Sequence, residues 1–474
     1  MHEYQQPEAG DSTGAIDLAL AAKYSRPGPR YTSYPTAAQF LAGDVVTRYL
    51  DWRATTTVAS AAPLSIYVHL PFCRDICYHC ACNKVVIRER SAGAHYLQRL
   101  EREIARQSQL VGRHRPVTQL HWGGGTPTWL AGAELTRLMH KLATSFHLVD
   151  RPDREYSIEI DPRTAQPDTI ALLRGLGFNR VSLGIQDFDP RVQQAVNRVQ
   201  SPREVQELVD AARRHDFKSL GFDLIYGLPN QDRSSMTKTL ERVVSLAPDR
   251  ISCYGYAHLP QRFGSEHAID RLSVPAAQER LLLQALIRRT LTAAGYIHIG
   301  MDQFVLSRDD LALAQRQGRL QRNFQGYSLR LADDTLGLGV SAISQIGDFY
   351  LQNTRDLEHY CARLEAGELP LERGCQLSRE DRLRRHVIMS LICTLSLDME
   401  ACSRQFGIEF GRHFSNELGS LGAMAEDGLL TIEGNRISVT ERGRPYLHNI
   451  CMVFDAYLPE VERSGTPATH SMTV

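Results

Sequence analysis

The chain has 474 residues, with Lys+Arg and Asp+Glu both numbering 54, for a formal charge of +0. That balance excludes a global field that attracts nucleic acid or an anionic membrane, so any acidic substrate has to be caught locally. The length suffices for one barrel-sized domain and a smaller second one, and no apolar run approaches the ~20 residues of a membrane span.

Met1 to Gly14 are polar and acidic rather than basic and then apolar, which reads against a secretory leader and points to the cytoplasm. Residues 1–63 form an N-terminal segment whose proline-rich part carries Arg26, Arg30, Tyr31 and Tyr34. This segment is not expected to fold alone; it is read as a lid over a substrate, with a plain linker as the competing reading.

From Leu64 a unit recurs: a short β-branched run, a turn rich in Gly, Pro or Asp, and then a longer stretch with helical periodicity. The expected strands are Ser65 to Leu70, Thr118 to Trp122, Tyr156 to Ile160, Arg180 to Ile185, Gly221 to Tyr226 and Arg250 to Tyr256. Between them, Tyr96, Leu97, Leu100 and Ile104, and then Leu135, Leu138, Met139 and Leu142, repeat at helical spacing. Alternating strand and helix argues a parallel sheet, either doubly wound or a complete or partial barrel, over residues 64–350. The polar residues at the strand ends favour a partial (β/α)6 barrel, because reactive groups gather at that rim.

Residues 351–474 read as a smaller, mostly helical domain with a β-hairpin turned by Glu433, Gly434 and Asn435. A winged-helix role on DNA is discounted because the hairpin carries only Arg436, and a cover over the barrel mouth is expected instead. The tail beyond Glu462 is small and polar and is expected to be disordered.

Four of the ten cysteines lie between Pro71 and Cys82, and Cys73, Cys77 and Cys80 make the spacing C-x3-C-x2-C directly after the first strand. One loop at that spacing wraps three thiolates around an iron-sulfur cube and leaves the fourth iron without a protein ligand. A structural zinc site is the alternative, but Cys80 and Cys82 are one residue apart and strain a shared tetrahedron. The other six cysteines are scattered, as ordinary thiols of a reducing compartment. Gly123, Gly124, Gly125 and Thr126 follow the second strand, Glu159 and Asp161 close the third, Gln186 and Asp187 the fourth, and Tyr256, Ala257 and His258 the sixth. Glu159 and Asp223 are carboxylates inside apolar strands and need a partner or a ligand, with Arg198 the obvious candidate.

The cysteine loop followed by the glycine run resembles the radical S-adenosylmethionine superfamily. More narrowly, Tyr31 to Thr36, Cys82-Asn83-Lys84, His121 to Thr128, Gly184 to Phe188, Asp223 to Pro229, Tyr256 to Pro260, Arg322 to Tyr327 and Asn449 to Tyr457 resemble the oxygen-independent coproporphyrinogen III oxidases, over roughly Lys23 to Leu458. The resemblance implies a [4Fe-4S] cluster on Cys73, Cys77 and Cys80 and two bound S-adenosylmethionine molecules. It further implies oxidative decarboxylation of two propionates of coproporphyrinogen III to vinyl groups through a 5'-deoxyadenosyl radical. It places Tyr67, His79, Gly124, Gly125, Thr126, Glu159, Gln186, Arg198, Asp223, Ala257 and Ile343 at the nucleotide, and marks Cys82 and Tyr67 as catalytic. Arg30 and Arg322 are expected to hold substrate carboxylates.

Flavodoxin or ferredoxin is the implied type of electron donor, and a cytoplasmic monomer without nucleic-acid or membrane partners is expected. His79 stands where the family commonly has Phe; a ring that still stacks on the cofactor is expected, with hydrogen bonding to cluster sulfur as the alternative. Gln303 stands where His is expected, which weakens a proton-transfer role there. A haem-trafficking chaperone of the same superfamily and a haem-degrading methyltransferase are the rival readings; both usually lack the Tyr31 to Thr36 segment.

Overall fold

The computed structural model describes residues 17–56, 62–329 and 331–458; the acidic lead Met1–Gly14 and the tail beyond Glu462 lie outside them. Six strands, β1 (Leu64–Leu70), β2 (Pro116–Gly124), β3 (Glu155–Ile160), β4 (Arg180–Gln186), β5 (Ser219–Tyr226) and β6 (Arg250–Gly255), run parallel and neighbour one another in chain order. Their ends fall within two residues of the expected ones. Beyond β6 the sheet continues with antiparallel β8 (Gln303–Leu306) and then β7 (Tyr296–Gly300). On the other side β11 (Asp334–Leu338) joins β1 in parallel, followed by the antiparallel run β12 (Ile343–Ile346), β13 (Phe349–Asn353) and β14 (Leu371–Gln376). The result is one open 14-stranded sheet with the partial barrel at its centre.

Period-two alternation in β2 to β6 decides how the sheet is covered. Trp122, Ile158, Leu183, Phe222 and Ile251 are buried on the helix-covered face, where α1 (Ser91–Val111) sinks Tyr96, Leu97, Leu100 and Ile104 and α2 (Gly132–Ser145) sinks Leu135, Leu138, Met139 and Leu142. Trp122 and Phe178 meet edge to face at 4.9 Å in this core. The helix starts are encoded locally: α4 (Pro202–Arg214) begins with Pro at its first position, and Ser201 and Glu204 cap each other's backbone. Among the described residues no helix is long and apolar enough to cross a membrane.

A second core gathers α7 (Arg379–Thr394), α8 (Leu447–Met452) and the hairpin β15 (Leu430–Glu433) and β16 (Arg436–Val439), together with Ile299 and Val305 from the sheet edge. It also takes in Leu20, Tyr31 and Tyr34, so the N-terminal segment is strapped to the C-terminal part of the chain. Tyr31 Oη donates to Asp455 at 2.9 Å, and Tyr34 Oη accepts from the Ala456 amide at 3.0 Å. The hairpin does not cover the barrel mouth as expected. Leu430 and Ile437 bury its apolar side in the second core, and among the described residues none beyond Ser328 lines the central cavity. Gly28 and Arg30 of the strap approach the mouth instead, with the hairpin β9 (Leu320–Asn323) and β10 (Gly326–Leu329).

Tyr31→Ala removes a buried ring and a hydrogen bond from this strap, a loss of about 3 kcal/mol. Limited trypsin proteolysis read by mass spectrometry is expected to cut faster at Lys23 and Arg30, while the parallel sheet stays resistant.

Candidate functional site

The concave face of the sheet encloses a cavity of about 1140 Å³. Alternate residues of five successive strands point into it: Gln119 and His121 from β2, Ser157 and Glu159 from β3, Ser182 and Gly184 from β4, Gly221 and Asp223 from β5, Ser252 and Tyr254 from β6. These positions are polar or small, which leaves room and hydrogen-bonding groups for a large polar ligand.

The cysteine loop closes one end. Phe72 and Cys73 pair with Val85 and Val86, and the Cys80 amide donates to the Cys77 carbonyl at 3.2 Å. Arg163 Nη2 and Arg198 Nη1 reach Cys77 Sγ at 3.3 and 3.4 Å. Both guanidinium groups are held by Asp161, at 2.7 Å from Arg163 Nη2 and 3.0 Å from Arg198 Nη1, and Arg198 Nη2 also donates to the Gly184 carbonyl at 2.8 Å. Burial pushes the Asp161 carboxyl up, but Arg198 and Arg163 outweigh it and hold the group below its ordinary value. Burial raises the Cys73 thiol to about 11. Hydrogen bonding from Cys82, with Lys84 and Arg198 nearby, lowers that of Cys80 against its burial, and the Cys82 thiol is pushed up in turn.

Arg198 is therefore the partner of Asp161 and not of Glu159 or Asp223. Glu159 accepts from His121 Nε2 at 3.1 Å and from the Gly124 amide at 3.3 Å. Burial raises its pKa, but these neighbours outweigh that and hold it low, while 44% of the side chain faces the cavity. Asp223 accepts from Ser182 Oγ at 2.8 Å. Burial first, and then the charge of Glu159, raise its pKa to about 6.

The glycine run makes room for the protein's own groups. A Cβ on Gly123 meets the Glu159 carboxylate at 2.8 Å, on Gly124 the His69 ring at 2.7 Å, and on Gly125 the Pro71 carbonyl at 2.4 Å. The amides of Gly125 and Thr126 are spent on the carbonyls of Leu70 and Phe72, tying the run to the cysteine loop.

Cys73, Cys77, Cys80, Cys82, His79, Gly124, Gly125, Thr126, Glu159, Gln186, Arg198, Asp223, Ala257 and Arg30 all line the cavity. Three expected residues lie off its wall. Tyr67 stands one layer back, stacked on His121 at 5.8 Å, and its hydroxyl meets His69 Nδ1 at 3.0 Å. Because His69 Nε2 faces the Asn83 carbonyl at 2.9 Å, that nitrogen carries the proton, and Nδ1 accepts from Tyr67. Ile343 packs near Phe40 and Tyr350. Arg322 lies over the Tyr327 ring at 4.8 Å. Asp187 turns inward, away from the rim, to accept from Thr239 Oγ1 at 2.6 Å and Gln231 Nε2 at 2.5 Å. Gln303 faces the cavity and accepts from Ser252 Oγ at 3.2 Å. His79 is held neutral by burial and by Arg198, Arg163 and Lys84, and its buried Nδ1 has no protein partner among the described residues.

The donor set suits a cluster and nucleotide: three thiols on one loop, guanidinium groups beside them, and a polar floor opposite. The model of the Radical SAM superfamily matches residues 67–243, and that of the HemN C-terminal domain matches residues 377–446. Oxygen-independent coproporphyrinogen III oxidase of Pseudomonas aeruginosa is 47% identical over 94% of this chain and 97% of its own length; that of Escherichia coli is 45% identical over 94% and 96%. The solved structure titled as coproporphyrinogen III oxidase (HemN) from Escherichia coli, a Radical SAM enzyme, superposes with a TM-score of 0.88 at 43% identity, covering 94% of this chain and all of that one. This chain belongs to the oxygen-independent coproporphyrinogen III oxidases.

Membership of the radical S-adenosylmethionine superfamily implies a [4Fe-4S] cluster and S-adenosylmethionine, and the chaperone reading is not favoured. Sequence reading missed Arg163 as a neighbour of Cys77, and Ser157, Ser182 and Ser252 as cavity residues. The signal was present in the polar residues at every second position of otherwise apolar strands.

Asp223 carries a testable cost. Its carboxyl has a higher pKa in the folded chain than the unfolded value of 3.8, so its contribution to stability is present at low pH and is lost as pH rises through about 6. In protein without S-adenosylmethionine, urea unfolding is expected to show Asp223→Asn gaining on the wild type between pH 4 and 7, by up to about 3 kcal/mol. A constant difference across that range contradicts the assignment.

Proposed function

We propose that this chain oxidises coproporphyrinogen III to protoporphyrinogen IX without oxygen in haem biosynthesis, turning two propionates into vinyl groups. The supporting observation is the three-cysteine loop facing a polar concave cavity in a chain that matches oxidases of this family along almost its whole length. Each propionate gives up a hydrogen atom from its β-carbon, then carbon dioxide, and then one electron to an external acceptor. When bound, the cluster and S-adenosylmethionine supply the carbon-centred radical that takes that hydrogen.

The chain's own groups bind and orient. Cys73, Cys77 and Cys80 hold iron, and Arg163 and Arg198 steady the loop through their contacts to the Cys77 sulfur. Glu159, ionised and facing the cavity, accepts from ribose hydroxyls. Arg198 offers its remaining capacity to the methionine carboxylate. His79 presents a flat ring to the nucleotide, and Arg30 stands at the mouth, donating to the Gly255 carbonyl at 2.9 Å, ready for a propionate. Cys82 faces the cavity beside the ligand thiols and is assigned to the chemistry rather than to iron. Tyr67 acts from behind His121 by holding it in place. A cavity of about 1140 Å³ exceeds what one small ligand fills, which supports two S-adenosylmethionine molecules.

Electrons enter beside Cys73, where the side chains of Arg74 and Arg88 are 68% and 83% exposed and suit an acidic flavodoxin or ferredoxin. All ten cysteines are free thiols, which supports a cytoplasmic setting, and the protein works as a monomer.

Anaerobically reconstituted protein with S-adenosylmethionine, reductant and coproporphyrinogen III is expected to give protoporphyrinogen IX and 5'-deoxyadenosine. Cys73→Ala is expected to lose iron. Cys82→Ala is expected to keep iron and lose vinyl formation by roughly 100-fold, the scale of a lost proton-handling group. Deoxyadenosine without vinyl product removes the substrate assignment, and full turnover by Cys82→Ala removes that residue's role.

A further inference from the structure

Beside the main cavity, where the strap, the sheet edge and α8 meet, lies a second group of charged and polar side chains: Arg30, Asp302, Arg322 and His448. Arg322 makes no salt bridge or hydrogen bond through its side chain to any described residue, its Nε is buried, and its guanidinium lies over the Tyr327 ring at 4.8 Å. His448 Nε2 is likewise buried without a partner among the described residues. Arg30 is 3.9 Å from Asp302 and lies over the Tyr254 ring at 6.0 Å. Tyr254 and Tyr327 line the main cavity, and so does Arg30, whereas Arg322 and His448 stand off its wall.

The charges do not balance. Arg30 and Arg322 contribute two positive charges and Asp302 one negative charge. Burial pushes the His448 imidazole down to about 4, with Asp302 opposing and Arg30 and Arg322 adding to the shift, so His448 is neutral. One cation remains uncompensated in a half-buried place, and an unpaired buried charge is expensive unless a ligand of opposite sign completes it. A guanidinium backed by an aromatic ring, in one group with an unpartnered imidazole nitrogen, suits a carboxylate.

We propose that Arg322 and His448 form a carboxylate subsite that holds a propionate other than the one being oxidised, with Arg30 at its entrance. This rests on the substrate reading above. A tetrapyrrole with four propionates on its rim projects some of them away from the reacting one. A fixed anchor beside the cavity also sets which propionate is presented for oxidation.

The test is equilibrium titration of the anaerobically reconstituted full chain with coproporphyrin III, the stable aromatic form with all four propionates, followed by fluorescence. Arg322→Gln is expected to weaken binding roughly ten-fold, the scale of a lost charged hydrogen bond, with Arg322→Lys recovering part of it and His448→Leu losing a smaller amount. Iron content and S-adenosylmethionine affinity are expected to stay at wild-type levels in all three. Binding by Arg322→Gln and His448→Leu within two-fold of wild type overturns the subsite while leaving the substrate reading intact. Absence of coproporphyrin binding and of vinyl product in the wild type overturns the substrate reading, and the subsite with it. Should Arg322→Gln lose iron, the His448→Leu titration decides alone.

Discussion

One buried carboxylate organises the cysteine end of the cavity. Asp161, at the end of β3, holds Arg163 from its own turn and Arg198 from the segment after β4, and both guanidinium groups reach the sulfur of Cys77 on the loop after β1. Two guanidinium groups thus share one carboxylate and one sulfur in a buried place. Coulombic attraction, little screened at this depth, thereby ties loops from three different strands together. Without Asp161 the two guanidinium groups repel each other beside Cys77, with no anion to hold them in place.

The rest of the site follows from the shape of the sheet. Small residues such as Gly184, Gly221 and Ser252 keep the concave face hollow, and the glycines of the run after β2 let Glu159, His69 and the Pro71 carbonyl approach a backbone that no side chain could share with them. The cavity is therefore roomy in the middle and tight at the cysteine end. Glu159 stays ionised beside His121 and a backbone amide, whereas Asp223, two strands away and within range of that negative charge, is held closer to neutrality. Two carboxylates on one wall thus have different acidities, so one accepts hydrogen bonds as an anion while the other is open to tuning by what binds.

Much of this was legible in the chain. The six strands, the amphipathic faces of α1 and α2 and the cysteine spacing all rest on local patterns that need no long-range information. Pairings across strands were not legible, because they depend on register. The register sets Tyr67 beside His121 and His121 beside Ser157, which produces the stacked rings and the hydrogen bond of 2.6 Å between His121 Nδ1 and Ser157 Oγ. It also sets Gly184 opposite Asp223 and Glu159 opposite Ser182, so Arg198 finds Asp161 rather than either strand carboxylate. The C-terminal hairpin was misread for a related reason: its apolar side belongs to a core shared with Tyr31 and Tyr34, residues about 400 positions away in the chain.

The claim beneath all of this is that three thiols hold the cluster and leave one corner free for the nucleotide. Mössbauer spectroscopy on protein reconstituted with isotopically enriched iron reads each iron separately. The account predicts one four-iron cluster per chain in which a single iron site shifts when S-adenosylmethionine is added and the other three do not. Four irons indifferent to the nucleotide, or zinc in their place, would contradict it.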